Sequence, residues 1–317
     1  MRRIIRLFPL ALALASTSLA SPIPSGQIPE NAKWVAHLDL DKLQHSKLGE
    51  TLAKQFLDPQ LGQMAEKLHK DLGIEFDWRK IHGLTAYGTN LKKKPDAHTV
   101  VLVQSELPLR DALNTALARL KQAGVSEKDL PIQRLDQEGQ EVFTFNTEIY
   151  ASLAEKNLLV LGKSQRAVSN AIAMLQGKGA TTSKSSILTE TTAGDASFLS
   201  LRLSETFHEG LDLPPQAQAL KMTDGAKLSL GEAADSLVAK LALRTKTAEA
   251  VEQLQQALQG VLALATLGTA ENVQLQQLLK GIHVDHQDRE VNVALQYPLA
   301  DLMKFIDSKK PQKAAQR

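Results

Sequence analysis

Residues 37–45 read HLDLDKLQH, and polar and apolar side chains alternate along the first part of this stretch. Side chains two residues apart in a β-strand lie on the same face of the sheet. The alternation therefore predicts a strand over residues 33–40, followed by a helical region that begins near residue 43. It also predicts which side chains face the core and which face water: Leu38 and Leu40 inward, His37 and Asp39 outward.

The same stretch contains residue types that bind metal ions. Imidazole and carboxylate groups suit Zn²⁺, Mn²⁺ or Fe²⁺, and a strand would place three of the four candidates on one face. A metal-dependent hydrolase is therefore one hypothesis, and the water-facing side of an ordinary strand is the other. The candidate ligands are His37, Asp39, Asp41 and His45.

A second segment of the chain, SFLSLRLSE (197–205), has the same alternation and helps to choose between the two hypotheses. Its leucines match those of the first stretch, whereas its polar positions are Ser200, Arg202 and Ser204. The apolar pattern recurs without the ligand chemistry. The comparison favours a structural strand, so we expect no metal site and no cofactor.

The first 20 residues have the composition of a secretory signal peptide. Three arginines precede a short apolar run, and Ser18 and Ala20 supply the small residues that a signal peptidase requires. The apolar run is shorter than the roughly 20 residues that span a bilayer. The sequence therefore predicts export to the periplasm or the medium, cleavage after Ala20, and no integral membrane segment in the mature chain.

Composition excludes several classes of site. The chain contains no cysteine, which rules out disulfides, thiolate metal sites and cysteine nucleophiles. Removing the three arginines of residues 1–20 from the total of 37 Lys and Arg leaves 34, against 35 Asp and Glu. A mature chain without net positive charge is not expected to bind nucleic acid.

Strand and helix patterns repeat along the chain. We divide it into a signal peptide (1–20), a first half (21–180), a linker (181–195), a second half (196–306) and a disordered basic tail (307–317). Both halves follow a similar order of strands and amphipathic helices, which indicates an internal duplication. The prediction is an α+β fold of two topologically similar halves, each a mainly antiparallel sheet with helices on one face.

Three further motifs partly resemble known chemical sites. HVDHQD (283–288) reads as the polar end of a β-hairpin. FHEGLD (207–212) lacks the second histidine of a zinc-binding helix. VLGKSQ (160–165) lacks the first glycine of a phosphate-binding loop, and reads as a strand end followed by a serine N-cap.

A long Gln-rich helical region covers residues 248–280, and residues 261–267 within it are almost wholly apolar. One interpretation is burial of this face against the second sheet. The alternative is a partly exposed apolar surface that binds a partner or a lipid-like ligand.

An export signal followed by repeated strand–helix units resembles secreted bacterial proteins of duplicated α+β type. The resemblance is one of pattern, and it implies no catalytic residues. We therefore expect an exported, non-catalytic protein that binds or scaffolds an unknown protein or a small apolar ligand. The alternatives are a periplasmic carrier or chaperone for an apolar ligand, and the hydrolase built on the four candidate metal ligands.

Overall fold

A computed structural model of the chain describes residues 25–90, 95–126, 130–137, 140–145, 148–155, 157–182, 187–188, 197–204, 220–269 and 272–308. The predicted signal peptide, the FHEGLD motif, most of the predicted linker and the tail from residue 309 onward lie outside these residues.

The described residues form twelve strands and eight α-helices. The strands are Trp34–Asp39 (β1), Ile81–Gly88 (β2), Thr99–Ser105 (β3), Ile132–Gln137 (β4), Gln140–Phe145 (β5), Ile149–Glu155 (β6), Leu158–Gly162 (β7), Ser197–Leu203 (β8), Thr223–Ala233 (β9), Ser236–Thr245 (β10), Ile282–Gln287 (β11) and Glu290–Pro298 (β12). The helices are Leu40–Gln44 (α1), Lys47–Leu52 (α2), Asp58–Leu72 (α3), Leu109–Gln122 (α4), Gln165–Leu175 (α5), Ala248–Gly268 (α6), Val273–Lys280 (α7) and Leu299–Ser308 (α8).

All twelve strands belong to one antiparallel sheet in the order β11-β12-β10-β9-β8-β1-β2-β3-β7-β6-β5-β4. The α+β class predicted from the sequence is confirmed. Strand β1 pairs with β2 on one side and with β8 on the other, so the strands before and after the predicted linker share a single sheet. The internal duplication stays a prediction.

Successive side chains of a strand point to opposite faces of the sheet. Residues that are paired across neighbouring strands lie on the same face, so each face can be followed from strand to strand. On one face, which we call the α5 face, Val35 of β1 and its neighbours Tyr87 and Val100 pack with Val168 and Ile172 of α5. The opposite face, which we call the open face, carries the intervening residues of the same strands. In β1 to β3 and β7 these are Ala36, Leu38, Leu84, Ala86, Val101, Val103, Leu159 and Leu161.

Helices cover the open face at its two ends. Phe143 of β5 packs there with Ala116 of α4, and Leu243 of β10 packs with Val251 and Leu254 of α6. A third group, from α1, α2 and α8, packs against Leu199 and Leu230. The first seven strands therefore have helices on both faces, rather than on one as expected, because β5 presents Val142 to α5 and the adjacent Phe143 to α4.

The predicted orientation of the first strand is wrong. His37 and Asp39 are buried, with 8% and 5% of their surfaces exposed, whereas Leu38 is only half-buried. Leu40 is buried as predicted, at the start of α1 rather than in the strand. The reason is that the two polar residues share a face with Val35, and that face is the one toward which α5 packs.

Two glycines provide a test of the helical segment that follows β1. A β-carbon on Gly49 would lie 1.7 Å from the backbone oxygen of Leu43, whereas one on Gly62 in α3 would meet nothing within 4 Å. We expect Gly49→Ala to lower the free energy of unfolding by about 3 kcal/mol or more. Gly62→Ala should raise it by up to about 1 kcal/mol because alanine favours helix. Urea denaturation measures both, and equal effects of the two substitutions would contradict the packing of α1 against α2.

Candidate functional site

The structure does not bring the four predicted metal ligands together. His37 and Asp39 lie buried on the α5 face of β1, Asp41 lies in α1, and His45 is the residue that ends α1. The Nδ1 atom of His45 lies 2.6 Å from the backbone carbonyl oxygen of Asp41. Among the residues that the structure describes, no group of three or more acidic or histidine side chains is arranged to hold a metal ion.

The two buried polar residues of β1 have structural partners. His37 Nδ1 lies 2.8 Å from the hydroxyl oxygen of Thr85, which is its neighbour across the β1–β2 pair. Asp39 is the N-cap of α1 and accepts a hydrogen bond of 2.9 Å from the backbone N–H of Lys42. Asp39 therefore ends β1 and caps the N-terminus of α1, a position at which aspartate is one of the preferred residues.

A different histidine bridges two carboxylates. His82 Nδ1 lies 3.0 Å from Asp41 Oδ1, and its Nε2 lies 3.5 Å from Glu106 Oε1. This partly exposed cluster follows directly from the pairing of β2 with β1 and β3. Sequence reasoning missed it because its members lie 24 to 65 residues apart, and the isolated His82 in a strand gave no signal.

The other motifs behave as structural elements. Residues 283–288 belong to the β11–β12 hairpin, and Asp288 at its turn has a positive φ of 52°. His286 of this hairpin binds the side chain of Gln255 in α6, at 2.7 Å. Ser164 caps α5 as predicted, accepting from the backbone N–H of Ala167.

A pocket of about 530 Å³ opens between α5 and the ends of β2 and β3. Its walls are apolar where Tyr87, Val100, Ala171 and Met174 meet, and polar side chains surround them: Asn31, His98, Ser164, Arg166 and Asn170. Burial raises the pKa of Tyr87, which keeps the phenol neutral. The volume and the mixed lining suit a small ligand with an apolar body.

A second candidate surface lies on the open face, between α4 and α6. Six neighbouring strands each contribute two aliphatic side chains to it, in two continuous cross-strand rows. All twelve are half-buried except Leu228, which is 39% exposed. We call this surface the apolar floor; it consists of Leu159, Leu161, Val101, Val103, Leu84, Ala86, Ala36, Leu38, Leu199, Leu201, Leu228 and Leu230.

The dimensions of the apolar floor follow from strand geometry. Six strands spaced about 4.8 Å apart give a length of roughly 25–30 Å, and two residues on one face of a strand are about 7 Å apart. None of its members is ionisable, and the Asp41–His82–Glu106 cluster lies at one margin, where β2 begins. The floor is thus a narrow apolar band with α4 and α6 at its two ends, and α1, α2 and α8 pack against it at Leu199 and Leu230.

Trp34 marks the other margin of the apolar floor. Its Nε1 donates to the backbone oxygen of Asn90 at 3.4 Å, and its ring lies against Gly88, where a β-carbon would come within 2.6 Å of the indole nitrogen. Trp34 is half-buried. By contrast, Trp78 is buried and donates to Asp58. Trp34 therefore borders the floor with part of its ring exposed, whereas Trp78 is buried and bonded to Asp58 at the start of α3.

The long helix predicted in the second half is confirmed as α6, but its apolar stripe is buried only in part. Val251 and Leu254 are fully buried against β10 and β12, whereas Leu264 and Leu267 are largely exposed. In the part of the chain that the structure describes, no helix has both the length and the apolar character needed to cross a membrane.

The His37–Thr85 contact predicts a stability effect. We expect Thr85→Val to lower the free energy of unfolding by about 1–2 kcal/mol, because the buried imidazole loses a hydrogen-bond partner. Thr85→Ser keeps the hydroxyl and should lose clearly less. Thermal and urea denaturation of both variants would show this, and an equal loss for both would mean that the methyl group matters rather than the hydrogen bond.

Comparison with known proteins finds only distant structural similarity. No family model matches the chain, and no curated protein matches it. Solved structures of crystal forms I and III of TP0453 align with 91% of this chain and with 98% and 99% of their own chains. Their sequence identities are 12% and 11%, and their TM-scores are 0.46 and 0.45. These values are too low for the similarity to indicate function.

Proposed function

We propose that the protein is an exported, non-catalytic binding protein that holds an extended apolar ligand, such as a hydrocarbon chain, on the apolar floor. One observation carries this proposal. In the central strand β1, the polar His37 and Asp39 are buried while the aliphatic Ala36 and Leu38 on the opposite face stay partly exposed to solvent.

The exposure of the floor favours binding rather than stability. Removing apolar surface from water stabilises a folded protein by about 25 cal/mol for each Å². Aliphatic side chains are therefore ordinarily buried before polar ones. Contiguous exposed apolar patches on soluble proteins mark binding sites more often than not. A fold that buries His37 while leaving aliphatic side chains such as Leu38 and Leu228 partly exposed favours a ligand on the aliphatic side.

The shape of the floor favours a chain over a globular partner. It is about two residues wide, and helices stand at both ends, where a flat protein surface would meet α4 and α6. One hydrocarbon chain spans half of a bilayer core that is about 30 Å thick. A chain of that length fits along a band of roughly 25–30 Å.

Leu228 allows a direct test of the site. We expect mature protein to bind cis-parinaric acid, a fluorescent long-chain fatty acid, and Leu228→Glu to weaken the binding at least about tenfold, because the carboxylate would adjoin the hydrocarbon. Met64→Glu is the matched control, since Met64 in α3 is 40% exposed and Leu228 is 39% exposed. Both variants should unfold within about 1 kcal/mol of the parent.

Two results would contradict the assignment to the floor. Ala167→Phe narrows the pocket beside α5, so a loss of binding in that variant, with Leu228→Glu unaffected, would place the ligand in the pocket. Concentration-dependent dimerisation that Leu228→Glu abolishes, without any binding of the fatty acid, would show that a second copy covers the floor instead.

Export has its own test. Expression of the full chain in a bacterial host should release a mature protein that begins at Ser21, as determined by mass spectrometry of the periplasmic fraction. Ala20→Gln should retain the leader, because the peptidase requires a small residue at this position. Recovery of the parent chain with Met1 intact in the cytoplasm would contradict export.

A further inference from the structure

The α6–α7 hairpin carries a second apolar surface, separate from the floor. We call it the hairpin tip, and its described residues are 261–269 and 272–275. Leu264, Leu267 and Val273 are 70%, 75% and 66% exposed, and Val261 and Leu275 are exposed as well. The described residues of the chain contain no other large apolar side chains as exposed as these three.

The hairpin tip projects beyond the edge of the sheet. Leu254 of α6 is fully buried, and the side chain of Gln255 already donates to the backbone oxygen of Val284 in β11. Because β11 is the last strand of the sheet, the helix beyond Leu258 has no strand beneath it. Ten further residues to Gly268 extend about 15 Å at the rise of an α-helix.

The described residues of the hairpin tip are also free of charge. Residues 253–270 contain no acidic, basic or histidine side chain, and neither do residues 272–279. Glu271 lies between these stretches, and Glu252 and Lys280 stand at the base of the hairpin. The polar residues on both helices are mainly glutamines, which are neutral. The described residues of the hairpin tip therefore carry no charged side chain that would resist a hydrocarbon environment.

We propose that the hairpin tip inserts into the interfacial layer of a lipid bilayer. Interfacial helices bury their apolar side about 5–10 Å below the headgroups, which a projection of about 15 Å can reach. The five exposed side chains are far fewer than the 20–30 residues that each partner supplies to a stable protein interface. A fluid hydrocarbon phase accepts such a small protruding surface without needing a complementary shape.

The lack of cationic side chains makes the proposal specific. Peripheral proteins that bind through Lys and Arg depend on anionic lipid and lose affinity as salt rises. Insertion of the hairpin tip would be driven by apolar burial alone. Binding to zwitterionic vesicles should therefore be as strong as binding to anionic ones, and 0.5 M NaCl should not reduce it.

The experiment uses the mature full-length chain and vesicles of phosphatidylcholine, with and without phosphatidylglycerol, in a flotation assay. The double variant Leu264→Asp/Leu267→Asp should reduce the fraction that floats at least about tenfold, because each leucine is replaced by a charge. Met64→Asp is the control and should float like the parent. Since the replaced leucines are already exposed, both variants should keep the parent's circular dichroism and melting temperature.

Three outcomes would overturn the proposal. The first is a parent chain that does not float with phosphatidylcholine. The second is flotation that requires anionic lipid or is lost in 0.5 M NaCl. The third is self-association without vesicles that the double variant abolishes, which would make the hairpin tip a contact between two copies. None of these depends on the fatty-acid assay, so insertion and ligand binding on the floor can fail separately.

Discussion

The pairing of β1 with both β2 and β8 is the constraint on which the rest of the structure depends. Strands β1 and β8 are far apart in the chain, and their pairing joins β1–β7 and β8–β12 into one sheet. Since side chains alternate along every strand and pairing preserves the face, the position of Val35 under α5 decides the orientation of all the neighbouring strands. Ala36 and Leu38 therefore lie on the open face.

Alternation was enough to predict the first strand almost to the residue, as well as the α+β class and the long helix α6. It could not decide which face of β1 is covered. Both faces carry apolar residues, Val35 on one and Leu38 on the other, and the helix that decides between them begins at Gln165, more than 120 residues later. The Asp41–His82–Glu106 cluster and the apolar floor escaped prediction for the same reason, because each is assembled by pairing between distant strands.

Burial of polar residues at the centre of the sheet has a cost that local partners offset. Thr85 bonds the imidazole of His37, and α1 uses Asp39 as its N-cap. Unpaired, such groups would each cost about 1–3 kcal/mol. A monomer selected for stability alone would gain more by burying the aliphatic face. The proposed binding of an apolar ligand gives this partial exposure a reason that packing alone does not give.

The two exposed apolar surfaces are connected through α6. The first half of this helix packs over β10 and β12, where it closes one end of the floor, and its second half forms the hairpin tip. An apolar chain has very low solubility in water, because every exposed CH₂ costs about 0.8 kcal/mol, so a protein that binds one must acquire it from an apolar phase. A helix that stands in a bilayer at one end and borders the floor at the other keeps the binding site close to that phase. Together, the two proposals make α6 the element that connects the hairpin tip with the end of the floor.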